Sequence, residues 1–385
     1  MPSPIYDHPE ISRRYFFPQP ATPLQEDENN RRVDLKLGDG TSLSAFAIQV
    51  CAGAPTLLIL HGNGESMADQ LEHWPLWAAA IGVNLFLLDY PGYADSEGEP
   101  SLSACRRAAR AALEHVLARP EAEVPAVFVN VMRGGPGLGN IGPSQSDIKL
   151  VCRGLGHGDT HAIVLAPSTP QEMLDLTMEA FRLAFVYRNP VIVAPDGYLG
   201  QMTGRVQLPD YMLEPGIPGW AVYGDAKHRG NLINSIHLSE PDLEAHNEVL
   251  QAKFARIAAS EQRAATYRAD DARILVVAAS TPARMAKSAI EHLRQEGVAI
   301  GLFNPVTLWP FPVDALRPLM EHVEDILVVE ASAGQLEDEL RLAMSHADLG
   351  GPRIHHLRRM GGMLPQEPEI RARVHEIVGS REVRS

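Results

Sequence analysis

Cysteine is scarce: Cys51, Cys105 and Cys152 are the chain's three, far apart and without a Cys-x-x-Cys pair. Thiolates so spaced build neither an iron–sulfur cluster nor a zinc ribbon, so single electrons leaving this chain need a carrier elsewhere. Long apolar runs are missing as well. No segment approaches the roughly eighteen apolar residues of a membrane span, and the start, Met1-Pro2-Ser3-Pro4, lacks the basic-then-apolar order of a leader. A cytoplasmic protein without a membrane association is the expectation. Cations are outnumbered, 34 Lys and Arg against 48 Asp and Glu, and the net charge of −14 argues against nucleic acid and anionic lipid as partners. A small anion can still be held by one local arginine. What is present, 45% hydrophobic and 21% charged residues over 385 positions, suits a soluble chain of two or three α/β domains.

Residues 1 to about 30 read as an extended lead-in, and Arg32 to Gln49 as a hairpin turning at Gly38-Asp39-Gly40. Thr56–Leu60 and Val83–Leu88 are short apolar strands, with helical spacing over Met67–Ala80 and Leu102–Leu117. The alternation restarts at Val124 with a strand to Val131, a helix over Gln171–Tyr187 and a strand at Val191–Ala194. Pro209 to Asn231 reads as a linker and Leu243 to Tyr267 as one charged amphipathic helix. Strands at Ile274–Ala278, Ile300–Phe303 and Ile326–Val329, with helices at Pro282–Glu296 and Gly334–Met344, complete a last α/β unit. Strand and helix in alternation imply parallel sheets.

The segment Val127 to Asp147 says most about chemistry. An apolar strand stops at Arg133-Gly134-Gly135-Pro136-Gly137, placing a guanidinium at the carboxyl end of a parallel sheet, where open α/β sheets keep their ligand crevices. A planar fork of donors there suits a carboxylate substrate. Pairing of Arg133 with a local carboxylate such as Asp147 is the structural alternative.

This loop and its sequel, including Gln145-Ser146-Asp147, Gly156-His157-Gly158-Asp159, Leu165-Ala166-Pro167-Ser168, Tyr187-Arg188-Asn189-Pro190, Gly200-Gln201-Met202, Leu308-Trp309-Pro310-Phe311-Pro312 and Arg359-Met360-Gly361-Gly362-Met363, resemble the α subunit of the 2-oxoacid:ferredoxin oxidoreductases over about residues 124–376. The flavour is that of the branched-chain type acting on 3-methyl-2-oxobutanoate. The resemblance implies oxidative decarboxylation of a 2-oxoacid to its acyl-CoA, with thiamine diphosphate as electron sink, shared with a β subunit. It further implies γ and δ subunits, with ferredoxin and CoA reached through the complex. Arg133, with Gly134 and Gly135, falls where the family holds the substrate carboxylate. The family's Tyr-Pro-x-Thr-Pro segment and the glutamate that promotes ylid formation have no counterpart here, which implies impaired turnover.

Residues from about 30 to 118 resemble instead the opening half of an α/β-hydrolase, on His61-Gly62-Asn63-Gly64-Glu65 and on Asp89-Tyr90-Pro91-Gly92-Tyr93. That resemblance makes His61, Gly62, Asn63 and Gly64 an oxyanion-type loop. The nucleophile elbow that must follow the next strand is missing, because Met132-Arg133-Gly134-Gly135 stands there, and Gly142-Pro143-Ser144-Gln145-Ser146 lacks the second glycine. The alternative function is therefore an α/β-hydrolase-like domain in a fused or chimeric, non-catalytic protein.

The expected plan is α/β throughout. A hydrolase-like half-domain over 1–123 precedes a parallel-sheet, pyrimidine-binding-type domain over 124–208, a linker and helix over 209–271, and a transketolase C-terminal-like domain over 272–385. Two lookalikes are set aside. Gly137-Leu138-Gly139-Asn140-Ile141-Gly142 fits a dinucleotide fingerprint, but prolines bracket it and no helix follows closely. His157, Asp159 and His161 lie close in a glycine loop that does not aim them at one ion, so no metal is assigned.

Overall fold

The computed structural model describes residues 16–50, 56–61, 64–71, 74–81, 83–116, 126–137, 139–153, 158–209, 218–221, 226–231, 233 and 237–382. They fall into two units, one within Met1–Ala126 and Pro209–His237, the other within Val127–Leu208 and Leu238–Ser385. Cys51, Gly62, Asn63, His157 and the expected junction near Val124 lie outside the described residues. No helix among the described residues is long and apolar enough to cross a membrane.

The first unit holds β1 (Asn30–Lys36), β2 (Ser42–Ile48), β3 (Thr56–Leu60), α1 (Met67–Gln70), α2 (Trp74–Ile81), β4 (Asn84–Leu88) and α3 (Leu102–Val116). Its sheet runs β1-β2-β4-β3, with β1, β2 and β4 successively antiparallel and β3 parallel to β4. Gly40 takes φ 89° at the β1–β2 turn, where Asp39 Oδ1 accepts from Thr41 N at 3.0 Å. Alanines 108 and 112 lie on one face of α3, an i, i+4 pair small enough to let the helix settle on Leu35, Leu43, Phe86 and Leu88. The single helix expected over 67–80 is two, α1 and α2.

The second unit contains two sheets. One, ordered β11-β6-β7-β5, comprises β5 (Val127–Val129), β6 (Ile163–Leu165), β7 (Val191–Val193) and β11 (Thr307–Trp309). Strands β5, β6 and β7 are parallel, and β6 and β7 are buried throughout, as short continuous apolar runs require. Between them run α4 (Ile148–Arg153) and α5 (Pro170–Tyr187), followed by α6 (Gly197–Gln201). The Thr169 hydroxyl caps α5 by accepting from Glu172 N at 3.1 Å. The second sheet, β13-β12-β9-β10-β8, comprises β8 (Ala264–Tyr267), β9 (Ile274–Val277), β10 (Ile300–Pro305), β12 (Asp325–Glu330) and β13 (Arg353–Arg358). Its helices are α7 (Glu240–Ser260), α8 (Ser280–Gln295), α9 (Val313–Leu316), α10 (Gln335–His346) and α11 (Glu367–Glu382).

Two sequence expectations change here. The helix drawn from Leu243 to Tyr267 stops at Ser260, and Ala264–Tyr267 becomes a strand, because antiparallel pairing with β10 outweighs local propensity. Residues 307–309, expected within the last domain, instead complete the sheet of β5, β6 and β7 by pairing with β6. One continuous core follows, in which Met132, Val164 and Ile192 pack with Leu275, Phe303 and Val328.

Close backbone approach sets one stability expectation. A Cβ on Gly301 would lie 2.4 Å from Arg268 O, whereas one on Gly379 in α11 would meet nothing within 4 Å. Gly301→Ala is expected to lower stability by about 1–3 kcal/mol. Gly379→Ala is expected to raise it by up to about 1 kcal/mol, both read from urea midpoints.

Candidate functional site

Strand β5 is prolonged toward the crevice by Asn130 N donating to Val193 O at 2.9 Å and by Met132 N donating to Pro195 O at 2.8 Å. Arg133 therefore lies at the carboxyl edge of the parallel sheet, exposed, and lines a cleft of about 470 Å³. Gly134, Gly135, Ser144, Asp147, Gln335 and Met360 line the same cleft.

The walls of the cleft are held by polar contacts between its two loops. Gln145 is fully buried; its N donates to Ala331 O at 2.8 Å and its Oε1 accepts from Ala331 N at 2.8 Å. Its Nε2 donates to Ala279 O at 3.0 Å, at the end of β9. Gln335 donates to Ser146 O at 2.6 Å and accepts from Lys149 N at 2.8 Å. The Ser144 hydroxyl donates to Ala331 O at 3.1 Å, so the serine nearest to an elbow pattern is a buried structural group.

The glycines of the loop have two separate reasons. A Cβ on Gly134 would lie 2.5 Å from Asn140 Oδ1 and 3.0 Å from Gly362 N, and one on Gly142 would lie 2.8 Å from Gly362 Cα. These positions serve backbone packing against the 361–362 turn. Gly135 and Gly137 face nothing within 4 Å and stand open on the cleft. The loop returns onto that turn, and the next helix, α4, begins only at Ile148.

Asp196 is buried behind Arg133, its Oδ1 accepting from Tyr198 N at 3.0 Å, Leu199 N at 3.1 Å and Thr281 Oγ1 at 2.9 Å. Its Oδ2 accepts from Thr281 N at 2.9 Å. These donors hold the carboxylate at the amino ends of α6 and α8, where helix dipoles favour an anion. Gly197 N donates to Met132 O at 2.7 Å, tying this cap to the residue before Arg133.

Glu330, wholly buried at the end of β12, accepts from Leu336 N at 3.0 Å and from the Ser332 hydroxyl, capping α10 beneath the cleft. Burial raises its carboxyl above the ordinary value, and the Ser332, Leu336 and Glu337 donors offset part of that rise. Glu337 is held below its ordinary value: burial acts upward, but hydrogen bonds from Arg358 and Arg341 outweigh it. His161 stacks on Trp309 at 4.5 Å, and burial lowers its pKa. Among the described residues no group of His, Cys, Asp and Glu is placed to hold a metal ion.

In the first unit, His61 and Asp89 are both buried, with Nε2 3.4 Å from Asp89 Oδ1. The ring packs against Tyr90 and Tyr93 at 4.7 and 5.3 Å, and Asp89 Oδ1 also accepts from Met67 N at 2.7 Å. Burial pushes the Tyr90 phenol up to about 12. Gly64 takes φ 86°. This arrangement orders the chain around β3 and β4.

The sequence placed Asp196 and Glu330 at strand ends without assigning them a role in the site. The cue available was a carboxylate one or two residues after a buried strand and before a helix. Because the unfolded Glu330 carboxyl ionises first, stability is expected to fall as pH rises from about 4.5 toward the raised folded value. Glu330→Gln is expected to flatten that slope, measured by urea unfolding across pH. Gln145→Ala, which strands buried Ala331 N and Ala279 O, is expected to cost about 2–4 kcal/mol.

Residues 111–262 match the family described as pyruvate flavodoxin/ferredoxin oxidoreductase, thiamine diphosphate-binding, and residues 272–370 match pyruvate:ferredoxin oxidoreductase core domain II. The ketoisovalerate oxidoreductase subunit VorB of Methanothermobacter thermautotrophicus is 45% identical over 260 residues, 67% of this chain and 72% of that protein. The fold is like that of 2-oxoglutarate:ferredoxin oxidoreductase from Magnetococcus marinus, with a TM-score of 0.59 at 18% identity, covering 84% of this chain and 62% of that one. A partial likeness, 32% identity over 124 residues, 31% of this chain and 39% of that protein, is to the alpha/beta hydrolase domain-containing protein WAV2 of Arabidopsis thaliana. The chain belongs to the 2-oxoacid:ferredoxin oxidoreductases, as a subunit of the VorB and KorA type.

Proposed function

We propose that this chain is the α subunit of an oxidoreductase that converts a branched-chain 2-oxoacid such as 3-methyl-2-oxobutanoate to its acyl-CoA, with CO2 released and electrons passed to ferredoxin. The observation that carries the reading is Arg133 at the carboxyl edge of β5, beside the open backbone of Gly135 and Gly137. A guanidinium there takes a carboxylate through two parallel N–H donors and orients the 2-oxo carbon. Asp147 is the carboxylate among the described lining residues. A second anionic group on the substrate would meet it, which favours a monocarboxylate with an aliphatic chain over a dicarboxylate. The similarity to VorB points the same way.

Thiamine diphosphate is the cofactor of the family domain matched at residues 111–262. Bound between this chain and a β subunit, it would supply the electron sink for decarboxylation. The described lining residues fit only part of that role. They include no glutamate to meet the aminopyrimidine. Among the described strands β5 pairs with β7 alone. Turnover is therefore impaired. The β, γ and δ subunits, ferredoxin and CoA are the partners it requires. The α/β-hydrolase-like part serves as a fold element, since His61 and Asp89 are buried against each other and the neighbouring Ser96 hydroxyl is itself buried, donating to Asp89 O at 2.8 Å.

Arg133→Gln is expected to weaken binding of 3-methyl-2-oxobutanoate to the assembled complex by about 10–100-fold, with Arg133→Lys intermediate, measured by calorimetry. Unchanged binding in Arg133→Gln overturns the assignment. The complex reconstituted with β and γ subunits is expected to show little 2-oxoacid-dependent ferredoxin reduction, and normal rates would remove the impairment claim.

A further inference from the structure

Met360 is 60% exposed although the backbone on both sides of it is tightly held. Arg359 N donates to Glu330 O at 3.1 Å, and Met363 N donates to Met360 O at 3.3 Å across a turn whose central residues, Gly361 and Gly362, take φ 66° and 92°. Positive φ at both central positions is what a type I′ turn requires and what glycine adopts without strain. The turn is pinned to the Arg133 loop by Asn140 Nδ2 donating to Gly361 O at 2.9 Å. The close approach of Gly134 and Gly142 to Gly362 leaves no room for it to slide. The thioether is thus presented at a set position in the cleft that Arg133 lines.

The other side chains around it are committed elsewhere or too small to make an apolar wall. Ser144 and Ser146 donate to backbone carbonyls and Gln335 bridges Ser146 O and Lys149 N, while Ala333 and Pro136 offer little area. Among the described lining residues Met360 is the one long apolar side chain.

We propose that Met360 is a specificity-determining residue that contacts the side chain of the 2-oxoacid whose carboxylate Arg133 holds, an inference that rests on the reading of Arg133 given above. Its unbranched, polarizable chain repacks around branched aliphatic groups of differing shape and offers nothing to an ω-carboxylate. Selection is therefore for apolar bulk, with tolerance among branched chains.

Calorimetric titration of the full chain, assembled with its partner subunits, against 3-methyl-2-oxobutanoate, pyruvate and 2-oxoglutarate tests this. Met360→Ala is expected to reduce the preference for 3-methyl-2-oxobutanoate over pyruvate about tenfold while leaving pyruvate affinity nearly unchanged. Met360→Leu is expected to keep the preference, and Met360→Lys to raise the affinity for 2-oxoglutarate. If Arg133→Gln abolishes binding of all three acids but Met360→Ala leaves the ratio unchanged, or lowers all affinities equally, the Met360 assignment alone falls. If Arg133→Gln leaves binding intact, or the unmodified complex binds none of the three, the reading of Arg133 fails and the Met360 assignment goes with it.

Discussion

The cleft depends first on one buried primary amide. Gln145 has no solvent exposure, and its side chain meets the ends of two strands, Ala279 after β9 and Ala331 after β12. An amide in such a place is costly unless its hydrogen bonds are made, and here they are made with main-chain groups that cannot move without moving a sheet. The segment that begins at Arg133 is thereby locked to the segment that begins at Ala331. Ser144, Gln335 and Asn140 add further bonds between the same walls.

Around it the remaining polar groups act in the same direction. Asp196 joins the starts of α6 and α8 and reaches Arg133 through the main chain of Met132. Glu330 caps α10 from below and its carbonyl holds Arg359, so one residue supports both Ser332 and the Met360 turn. Donors at helix amino ends meet the oxygens of both carboxyl groups, and at Glu330 they offset part of the effect of burial. The cleft's guanidinium is supplied by Arg133, on a loop that these contacts hold in place.

The two units differ in what their motifs accomplish. In the second, a loop read from its arginine and glycines lies at the crevice of a parallel sheet together with residues from a distant part of the chain. In the first, His61 and Asp89 carry a familiar pattern but face into packed tyrosines. A motif supplies chemistry only when the surrounding geometry exposes it to a substrate.

The sequence by itself determined the α/β alternation, the buried strands β7, β9 and β12, and the position of Arg133, whereas β6, only three residues long, was not legible. Apolar runs ending in glycine or charge have few other ways to bury themselves. Polar strands were illegible: Arg353–Arg358 and Ala264–Tyr267 have neither an apolar run nor clean alternation, and they are strands because β12 and β10 offer them an edge. Tertiary structure alone decided that Gln145, Asp196 and Glu330 are buried, since a polar residue in a loop reads the same whether solvated or enclosed. It also decided which glycines of the Arg133 loop meet another backbone and which face open space, because that depends on the 361–362 turn, more than two hundred residues further along the chain.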